Sequence, residues 1–226
     1  MKTAPTVLIT GCDTGIGREF AGQYAADGWS VIATCRDPAN AQPVSPAISG
    51  LALDVTEQQQ FDALKHEIGE QPIDLLISNA GIGLDIRKLG NLDYDYVCKM
   101  LEVNTVGALR LVDTFVDNVA ASKQRRIVAI TSRMGSIGLN LSGGHYGYRA
   151  SKAGLNAIMR SLAIDLFHRG ITVASIHPGW VETAGGSSDA AVSVEESVTS
   201  MRKIIARLGN HETGQIFDYR GMPLAW

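Results

Sequence analysis

Cysteine is scarce in this chain of 226 residues. Cys12, Cys35 and Cys98 are the three cysteines, and they lie too far apart in the sequence for a disulfide framework or a tetrahedral metal pattern. The five histidines also lack metal-site companions in the sequence; His145, for example, has no carboxylate or histidine at ligand spacing. We therefore expect reduced thiols and no metal site.

Charge is also sparse, and long apolar runs are missing. Charged residues make up 19% of the chain, hydrophobic residues make up 45%, and the net charge is -3. This balance is typical of a globular protein and argues against a disordered, membrane or nucleic-acid-binding one. The amino terminus has no apolar segment or small-residue cleavage site that would indicate a signal peptide. We expect one cytoplasmic domain, residues 1–226, with a small molecule as its partner.

Short apolar runs alternate with helical patterns along the chain. This alternation predicts right-handed crossovers and an α/β fold, with about seven strands in a doubly wound parallel sheet and helices on both faces. The predicted strands are Thr6 to Thr10, Ser30 to Cys35, Gly50 to Leu53, Ile73 to Ser78, Arg126 to Ser132, Ile171 to Ile176 and Gln215 to Asp218. The predicted helices are Ile16 to Asp27, Glu57 to Ile68, Tyr94 to Asn118, Tyr148 to Phe167 and Val194 to Leu208.

Two connections look irregular. The segment from Arg36 to Ser49 contains three prolines, and proline inside a helix removes a hydrogen bond and clashes with the preceding turn. We therefore expect a turn there, or no helix, between the second and third strands. Ala184 to Ala190 is small and polar enough to form a mobile loop.

A glycine-rich turn follows the first predicted strand, with the sequence Thr10-Gly11-Cys12-Asp13-Thr14-Gly15-Ile16-Gly17. Three glycines there allow a tight turn, close approach of the backbone to a pyrophosphate, and packing of the helix on the sheet. The spacing differs from the six-residue fingerprint of the common dinucleotide fold, and a plain tight turn is the alternative. The position at the first strand-to-helix junction favours dinucleotide binding.

A possible acid and its neighbours lie in the second half of the chain. Tyr148 and Lys152 are one helical turn apart on the same face, and a nearby cation favours phenolate, which lowers the pKa of a phenol toward neutral pH. The spacing alone is weak, because an exposed pair on an ordinary helix has the same pattern. Ser132 ends the fifth predicted strand, where its hydroxyl can donate to a substrate oxygen. Ser136 is an alternative candidate for this serine. Tyr146 is a weaker candidate than Tyr148, because no lysine follows it four residues later.

Asn104 lies inside a long helical pattern, although asparagine is a poor helix former. The simplest interpretation is a buried side chain that satisfies backbone groups.

Together these features resemble the short-chain dehydrogenase/reductase family in its classical form, over essentially the whole chain. The resemblance implies a Rossmann-type fold and an NAD(P)-dependent oxidoreductase that interconverts a carbonyl and an alcohol by hydride transfer. The carboxyl half is most similar to the C-factor-like branch, which leaves a dinucleotide-binding signalling or sensor protein as the alternative function. The motifs that carry the family resemblance are Thr10 to Gly17, Ser78-Asn79-Ala80-Gly81, Asn104, Ser132, Tyr148 and Lys152, and those of the branch are Thr131 to Ile137, Gly143 to Tyr148 and His177 to Val181.

The resemblance also implies roles for individual residues. Tyr148 would be the general acid and base, Lys152 would lower its pKa and bind the nicotinamide ribose, and Asn104 would hold a water that leads to Lys152. The implied catalytic set is Asn104, Ser132, Tyr148 and Lys152. The implied cofactor-binding set is Gly11, Asp13, Thr14, Gly15, Ile16, Gly17, Arg36, Asp54, Val55, Asn79, Ala80, Gly81, Tyr148, Lys152, Pro178, Gly179, Val181 and Thr183.

The end of the second strand bears on the choice of cofactor. In the family an aspartate at this position binds the adenosine ribose, whereas an arginine nearby pairs with a 2'-phosphate. Cys35 stands at the aspartate position and Arg36 follows it, so the pattern favours NADP, with NAD as the alternative if Asp37 reaches the ribose. Asp54 resembles the family's contact to the adenine amine, and a helix cap is its other interpretation.

The resemblance extends to the substrate and to assembly. The residues expected to surround the substrate are Leu84, Arg133, His145, Tyr146 and Trp180. Relatives pair the helix at Tyr148 to Phe167, and the long helix before it, across a dimer interface, so we expect a homodimer or homotetramer.

Overall fold

Short strands rich in β-branched residues form the centre of the protein. The computed structural model describes residues 4–37, 47–83, 86–181 and 192–226. Within these ranges, seven parallel strands form one sheet in the order β3-β2-β1-β4-β5-β6-β7. The strands are β1 Thr6–Thr10, β2 Ser30–Cys35, β3 Ile48–Ala52, β4 Leu75–Ser78, β5 Arg126–Ile130, β6 Thr172–His177 and β7 Gln215–Asp218. The doubly wound parallel sheet predicted from the sequence is confirmed.

Helices cover both faces of the sheet, because the central strands are apolar on both sides. One face packs against α1 and α6, where Phe20 and Met201 are fully buried against Ile9. The other face packs against α2, α4 and α5, where Phe61 and Phe115 are fully buried. The helices are α1 Gly15–Ala26, α2 Gln58–Ile68, α3 Tyr94–Leu101, α4 Gly107–Ala120, α5 Tyr146–Asp165 and α6 Val194–Arg207. In the described part of the chain, no helix has both the length and the apolarity needed to cross a bilayer.

The strand order creates a switch point beside β1. This strand pairs with β2 on one side and with β4 on the other, so the connections leave it in opposite directions. A crevice therefore opens beyond the carboxyl ends of β1 and β4, the place where open α/β sheets bind ligands.

Several predicted boundaries differ from the structure. The long helix predicted from Tyr94 to Asn118 is interrupted by a π-helical turn, Glu102–Val106, between α3 and α4. Strand β5 ends at Ile130, and Ser132 begins a short 3-10 helix, Arg133–Gly135. Helix α5 begins two residues before Tyr148. The predictions for the prolines of the second crossover, for Leu84, for Thr183 and for the loop Ala184 to Ala190 fall outside the described residues.

Candidate active site

The glycine turn after β1 leaves no space for side chains. Gly11 has a positive φ of 70°, and a Cβ added to it would lie 2.8 Å from the Cα of Ala80. A Cβ on Gly17 would lie 2.2 Å from the main-chain oxygen of Gly11. Both contacts involve backbone atoms that cannot rotate away, so the turn and the start of α1 require glycine at these positions. This is the close packing expected of a phosphate-binding turn.

The first turn of α1 suits an anionic group. Its N-cap, Thr14, is extended and makes no side-chain capping bond, and the turn contains no acidic residue. The free N–H groups of Gly15, Ile16 and Gly17 can therefore face an anion at the positive helix end. Beside them, Asp13 Oδ1 is buried and has no hydrogen-bond partner among the described residues. A buried acceptor without a donor is unfavourable, which fits a ligand that brings both phosphates and hydroxyl groups.

Asn79 connects the ends of β1 and β4. Its amide Nδ2 donates to the main-chain oxygens of Thr10 (2.9 Å) and Gly11 (3.0 Å). The main-chain N–H groups of Asn79 and Ala80 both donate to Thr10 Oγ1, each at 3.0 Å. Asn79 and Ala80 therefore hold the glycine turn against β4, while Gly81 is exposed beside the crevice.

Arg36 and Asp54 lie at the ends of neighbouring strands. Burial alone would raise the pKa of Asp54, but hydrogen bonds from Thr56 and the nearby guanidinium of Arg36 hold it below its usual value. Asp54 Oδ1 accepts from Thr56 N (2.9 Å) and Oγ1 (2.8 Å). It therefore stabilises the turn before α2, whose N-cap is Glu57. Arg36 is exposed and can reach a ligand at this edge.

Val55 has a packing role in the structure. Its side chain is buried, and a Cβ added to Gly107 would lie 2.8 Å from Val55 Cγ2. The main-chain oxygen of Val55 accepts a hydrogen bond from Arg110 Nη1 at 3.3 Å. These contacts join the turn after β3 to the start of α4.

Ser132 and Tyr148 meet at the carboxyl end of β5. The Ser132 side chain lies close to Tyr148, and its Oγ accepts from Met134 N at 3.1 Å. Burial raises the pKa of the Tyr148 phenol above its usual value, and the nearby Ser132 hydroxyl only partly opposes this effect. This pKa shift is opposite in direction to the sequence prediction, in which Lys152 lowers the pKa of Tyr148. The sequence could not show how far the phenol is removed from water.

Lys152 lies below this pair and is itself buried. Its Nζ donates to the main-chain oxygen of Ile130 (2.9 Å) and lies 6.0 Å from the centroid of the Tyr148 ring. Burial lowers the pKa of Lys152 to about 8. The ammonium is therefore close to the phenol ring, but its hydrogen bond goes to the main chain at the end of β5.

Asn104 sits in the π-helical turn and is buried. Its Oδ1 accepts from Ile82 N (2.8 Å), and its Nδ2 donates to Ile82 O (3.1 Å) and Ser151 Oγ (3.0 Å). Ser151 Oγ in turn donates to the main-chain oxygen of Tyr148 at 2.9 Å. Asn104 thus satisfies backbone groups after β4 and connects them to the first turn of α5. A π turn at this place is typical of functional sites.

The rival candidates occupy different environments. Ser136 is buried, and its Oγ donates to the main-chain oxygen of Trp226 at 3.0 Å. Tyr146 is 45% exposed, in contrast to the largely buried phenol of Tyr148. The geometry therefore separates Ser132 and Tyr148 from both rivals.

The turn after β6 completes this edge of the sheet. Pro178 O accepts from Ser197 Oγ at 2.6 Å, and Gly179 has a φ of +89° beside the ring of Tyr219. Val181 is buried and pairs with Val192. These contacts fix the backbone of this part of the predicted cofactor-binding set as far as residue 181.

A cavity of about 520 Å³ opens beside the amino end of α5. Two of the predicted substrate residues, His145 and Tyr146, line it. Arg133 and Trp180 are exposed near the other strand ends and do not line it. The lining is formed by residues 86–89 and 142–146.

Sequence reasoning did not identify the residues that support the site from behind. Ser151 and Ile82 position Asn104, and Thr10 positions Asn79. Arg149 joins two loops, because its guanidinium donates to Gly144 O (3.2 Å), Ser142 Oγ (3.0 Å) and Met134 O (3.4 Å). Ser151 and Arg149 adjoin Tyr148 and Lys152 in the sequence, and this proximity is the one signal that could have drawn attention to them.

Comparison with known proteins identifies the family. The model of the family described as short chain dehydrogenase matches residues 5–191. The chain belongs to the short-chain dehydrogenase/reductase family. Because the match includes the glycine turn and the Ser132, Tyr148 and Lys152 cluster, the chain is an NAD(P)-dependent oxidoreductase.

Individual relatives agree with this assignment. The chain is 31% identical over 228 residues to 1-hydroxy-2-glutathionyl-2-methyl-3-butene dehydrogenase of Rhodococcus sp. (strain AD45), covering 98% of this chain and 99% of the relative. It is 38% identical over 155 residues to C-signal of Myxococcus xanthus, covering 69% of this chain and 93% of the relative. The structure of NADPH-bound carbonyl reductase from chicken fatty liver superimposes with a TM-score of 0.89 at 29% identity, over 100% of both chains. The similarity to C-signal supports the resemblance to the C-factor-like branch, and the other two favour the enzyme over the signalling alternative.

Proposed function

We propose that this protein is a reductase that prefers NADP(H) and acts on the C=O or CH–OH group of a small or medium-sized compound, with Tyr148 as its general acid and base. The observation that carries the proposal is the grouping of Ser132, Tyr148 and Lys152 at the sheet edge that also holds the glycine turn. The nicotinamide, when bound, supplies or accepts the hydride. The residues of this chain handle the proton and the substrate oxygen.

The state of Tyr148 suits carbonyl reduction. Because burial raises its pKa, the phenol is protonated at neutral pH and can donate to an oxygen that gains negative charge. Ser132 donates a second hydrogen bond to the same oxygen and stabilises that charge. In alcohol oxidation Tyr148 must first lose its proton, and the nearby Ser132 hydroxyl favours that form. Lys152 and Asn104 would pass the proton onward, as the resemblance implies.

The experiment removes one atom, the phenol oxygen at position 148. Tyr148→Phe should abolish turnover of a carbonyl panel with NADPH while cofactor still binds, because the ring remains and the acid is lost. Tyr94→Phe is the matched control, since Tyr94 is 72% exposed at the start of α3. Turnover by Tyr148→Phe at the level of this control would remove Tyr148 from the acid role.

Arg36 supports the preference for NADP over NAD. Its guanidinium is exposed at the end of β2, close enough to Asp54 to lower the pKa of that carboxyl group. Such a cation can pair with a 2'-phosphate, and the chicken carbonyl reductase is described as NADPH-bound. Arg36→Ala should weaken NADPH binding by about ten- to a hundredfold, the loss typical of a charged hydrogen bond, and leave NADH binding unchanged. Arg169→Ala, in the 3-10 helix after α5, is the control, and equal effects on both cofactors would refute the role.

Assembly and domain structure are part of the same proposal. We propose a single domain that forms a homodimer or homotetramer through α4 and α5. Exposed apolar side chains on or next to these helices support the proposal: Leu109 on α4, Ile164 on α5, and Phe167 just after α5. The mass in solution at micromolar concentration tests it, and a monomer would contradict it.

A further inference from the structure

Ser136 holds a neighbouring segment of the chain. It is 3% exposed, and its Oγ accepts from Leu139 N (3.2 Å) and donates to the main-chain oxygen of Trp226 (3.0 Å). The N–H of Gly138 donates to the same oxygen of Trp226, also at 3.0 Å. Two donors from one loop thus bind the same oxygen. Because hydrogen bonds depend on distance and angle, together they fix the position of the Trp226 oxygen relative to the loop.

The oxygen belongs to residues 222–226, which we call the tail. The tail turns back after β7, where the N–H of Asp218 donates to Met222 O at 2.8 Å. Leu224 N then donates to Ile216 O at 2.8 Å, alongside a bridge between β7 and the tail. The tail is therefore attached to the edge of the sheet at one end and to the loop after β5 at the other.

The loop after β5 is also fixed from its other side. We call residues 132–136 the serine turn. A Cβ added to Gly135 would lie 2.7 Å from the carbonyl carbon of Lys152 and 2.8 Å from its oxygen. Gly135 N also donates to Ser132 O at 2.9 Å. The serine turn is thus packed directly on the backbone of α5, one helical turn after Tyr148.

These contacts place the serine turn between two supports. Helix α5 carries Tyr148 and contacts the turn at Gly135, while the tail contacts the turn at Ser136. Ser132, at the start of the turn, lies beside Tyr148 at the position that the two supports define. Loss of the outer support would allow the turn to move relative to α5. The placement of the Ser132 hydroxyl relative to Tyr148 would change first, and its hydrogen bond to a substrate oxygen would weaken, because hydrogen bonds depend steeply on distance and angle.

We propose that Ser136 and the tail form a latch that positions the Ser132 hydroxyl beside Tyr148. Ser136 is a positioning residue and does not touch the substrate, and the tail is a structural part of the active site. This inference rests on the proposed function, since it assigns the latch to the same serine and tyrosine. We expect its effect on the chemical step, because the latch contacts the turn that carries Ser132 and not the glycine turn after β1, which lies two strands away in the sheet order.

The test combines two ways of opening the latch. Ser136→Ala removes one donor, and deletion of residues 225 and 226 removes the acceptor. Each should lower kcat about three- to tenfold, the value of one hydrogen bond, with an unchanged Kd for NADPH. The double variant should lose no more than the more affected single variant, because both changes remove the same interaction. Ser136→Thr keeps the hydroxyl and should restore kcat, and Ser161→Ala on the exposed face of α5 is the matched control.

Two kinetic results would overturn the latch. One is a kcat for Ser136→Ala equal to that of Ser161→Ala, and the other is a double variant whose losses multiply. Hydrogen exchange of the Gly138 amide reports on the latch without any turnover, because this amide donates to Trp226 O. Its protection should fall in the deletion variant, and an unprotected amide in the unmodified protein would contradict the latch. Absence of turnover with every carbonyl tested would instead contradict the proposed function, so the two failures can be told apart.

Discussion

Lys152→Met should make the protein more stable, and the gain should depend on pH. Burial lowers the pKa of the Lys152 ammonium from its ordinary 10.5 to about 8 in the folded protein. At about 1.4 kcal/mol for each pH unit, this difference corresponds to a cost of about 3 kcal/mol for keeping the charge inside the fold. Methionine has a similar length and no charge, so the variant avoids that cost while it loses the lysine's function.

The sign of the pH dependence follows from proton binding. Below about pH 8 the lysine is protonated in both the folded and the unfolded chain, and the folded protein bears the full cost. Between about pH 8 and 10.5 the unfolded chain binds the proton that the folded chain has lost, so the stability of the unmodified protein rises with pH. The advantage of the variant is therefore largest near neutral pH and shrinks by about 3 kcal/mol across this window.

The loss of one hydrogen bond lowers the stability of the variant by a similar amount at every pH. Lys152 Nζ donates to Ile130 O at 2.9 Å, and its removal costs about 0.5 to 1.5 kcal/mol. The neutral amine can make the same bond, so this cost changes little with pH. The net gain near neutral pH is then on the order of 2 kcal/mol.

Urea unfolding from about pH 7 to about pH 10 measures the effect, with the difference between the variant and the unmodified protein taken at each pH. Other titrating groups are common to both proteins and cancel in that difference. Lys203→Met, at an exposed position on α6, is the matched control and should give a constant difference. If the difference in the free energy of unfolding for Lys152→Met stays constant with pH, burial does not lower the pKa of this lysine.

Two further variants test the hydrogen bonds of the site. Ser132→Ala should raise the pKa of Tyr148 further, because the nearby Ser132 hydroxyl opposes the effect of burial; in alcohol oxidation, the alkaline rise of kcat/KM should move upward by about 1 to 2 pH units. No movement, or movement to lower pH, would contradict the hydroxyl's role, and Ser161→Ala is again the control. Asn104→Ala should lower the free energy of unfolding by about 2 to 4 kcal/mol, because the N–H and C=O of Ile82 lose their partners inside the protein. Urea unfolding measures it, and a loss below about 0.5 kcal/mol, the level of an ordinary surface change, would show that water replaces the amide.

Regular elements were predictable because their signals are local. The strands β1, β2 and β7 begin and end at the predicted residues, since apolar runs bounded by turn residues define them. The interruption after α3 was not predicted, although Asn104 was recognised as unusual there. Its π turn depends on bonds to Ile82 and Ser151, which are 22 and 47 residues away. A pattern read within one helix carries no information about partners at such distances.

The sequence by itself determined the family, the order of strands and helices, and the residue types that gather at the carboxyl edge of the sheet. Glycine turns, strand-end hydroxyls and helical spacing are short-range features, and the chain displays them directly. Only the tertiary structure decided that burial raises the pKa of Tyr148 and lowers that of Lys152. It also distinguished Ser132, which lies beside Tyr148, from Ser136, which holds the tail. Burial and hydrogen bonding between remote residues depend on the whole fold, and they set the electrostatics of the site.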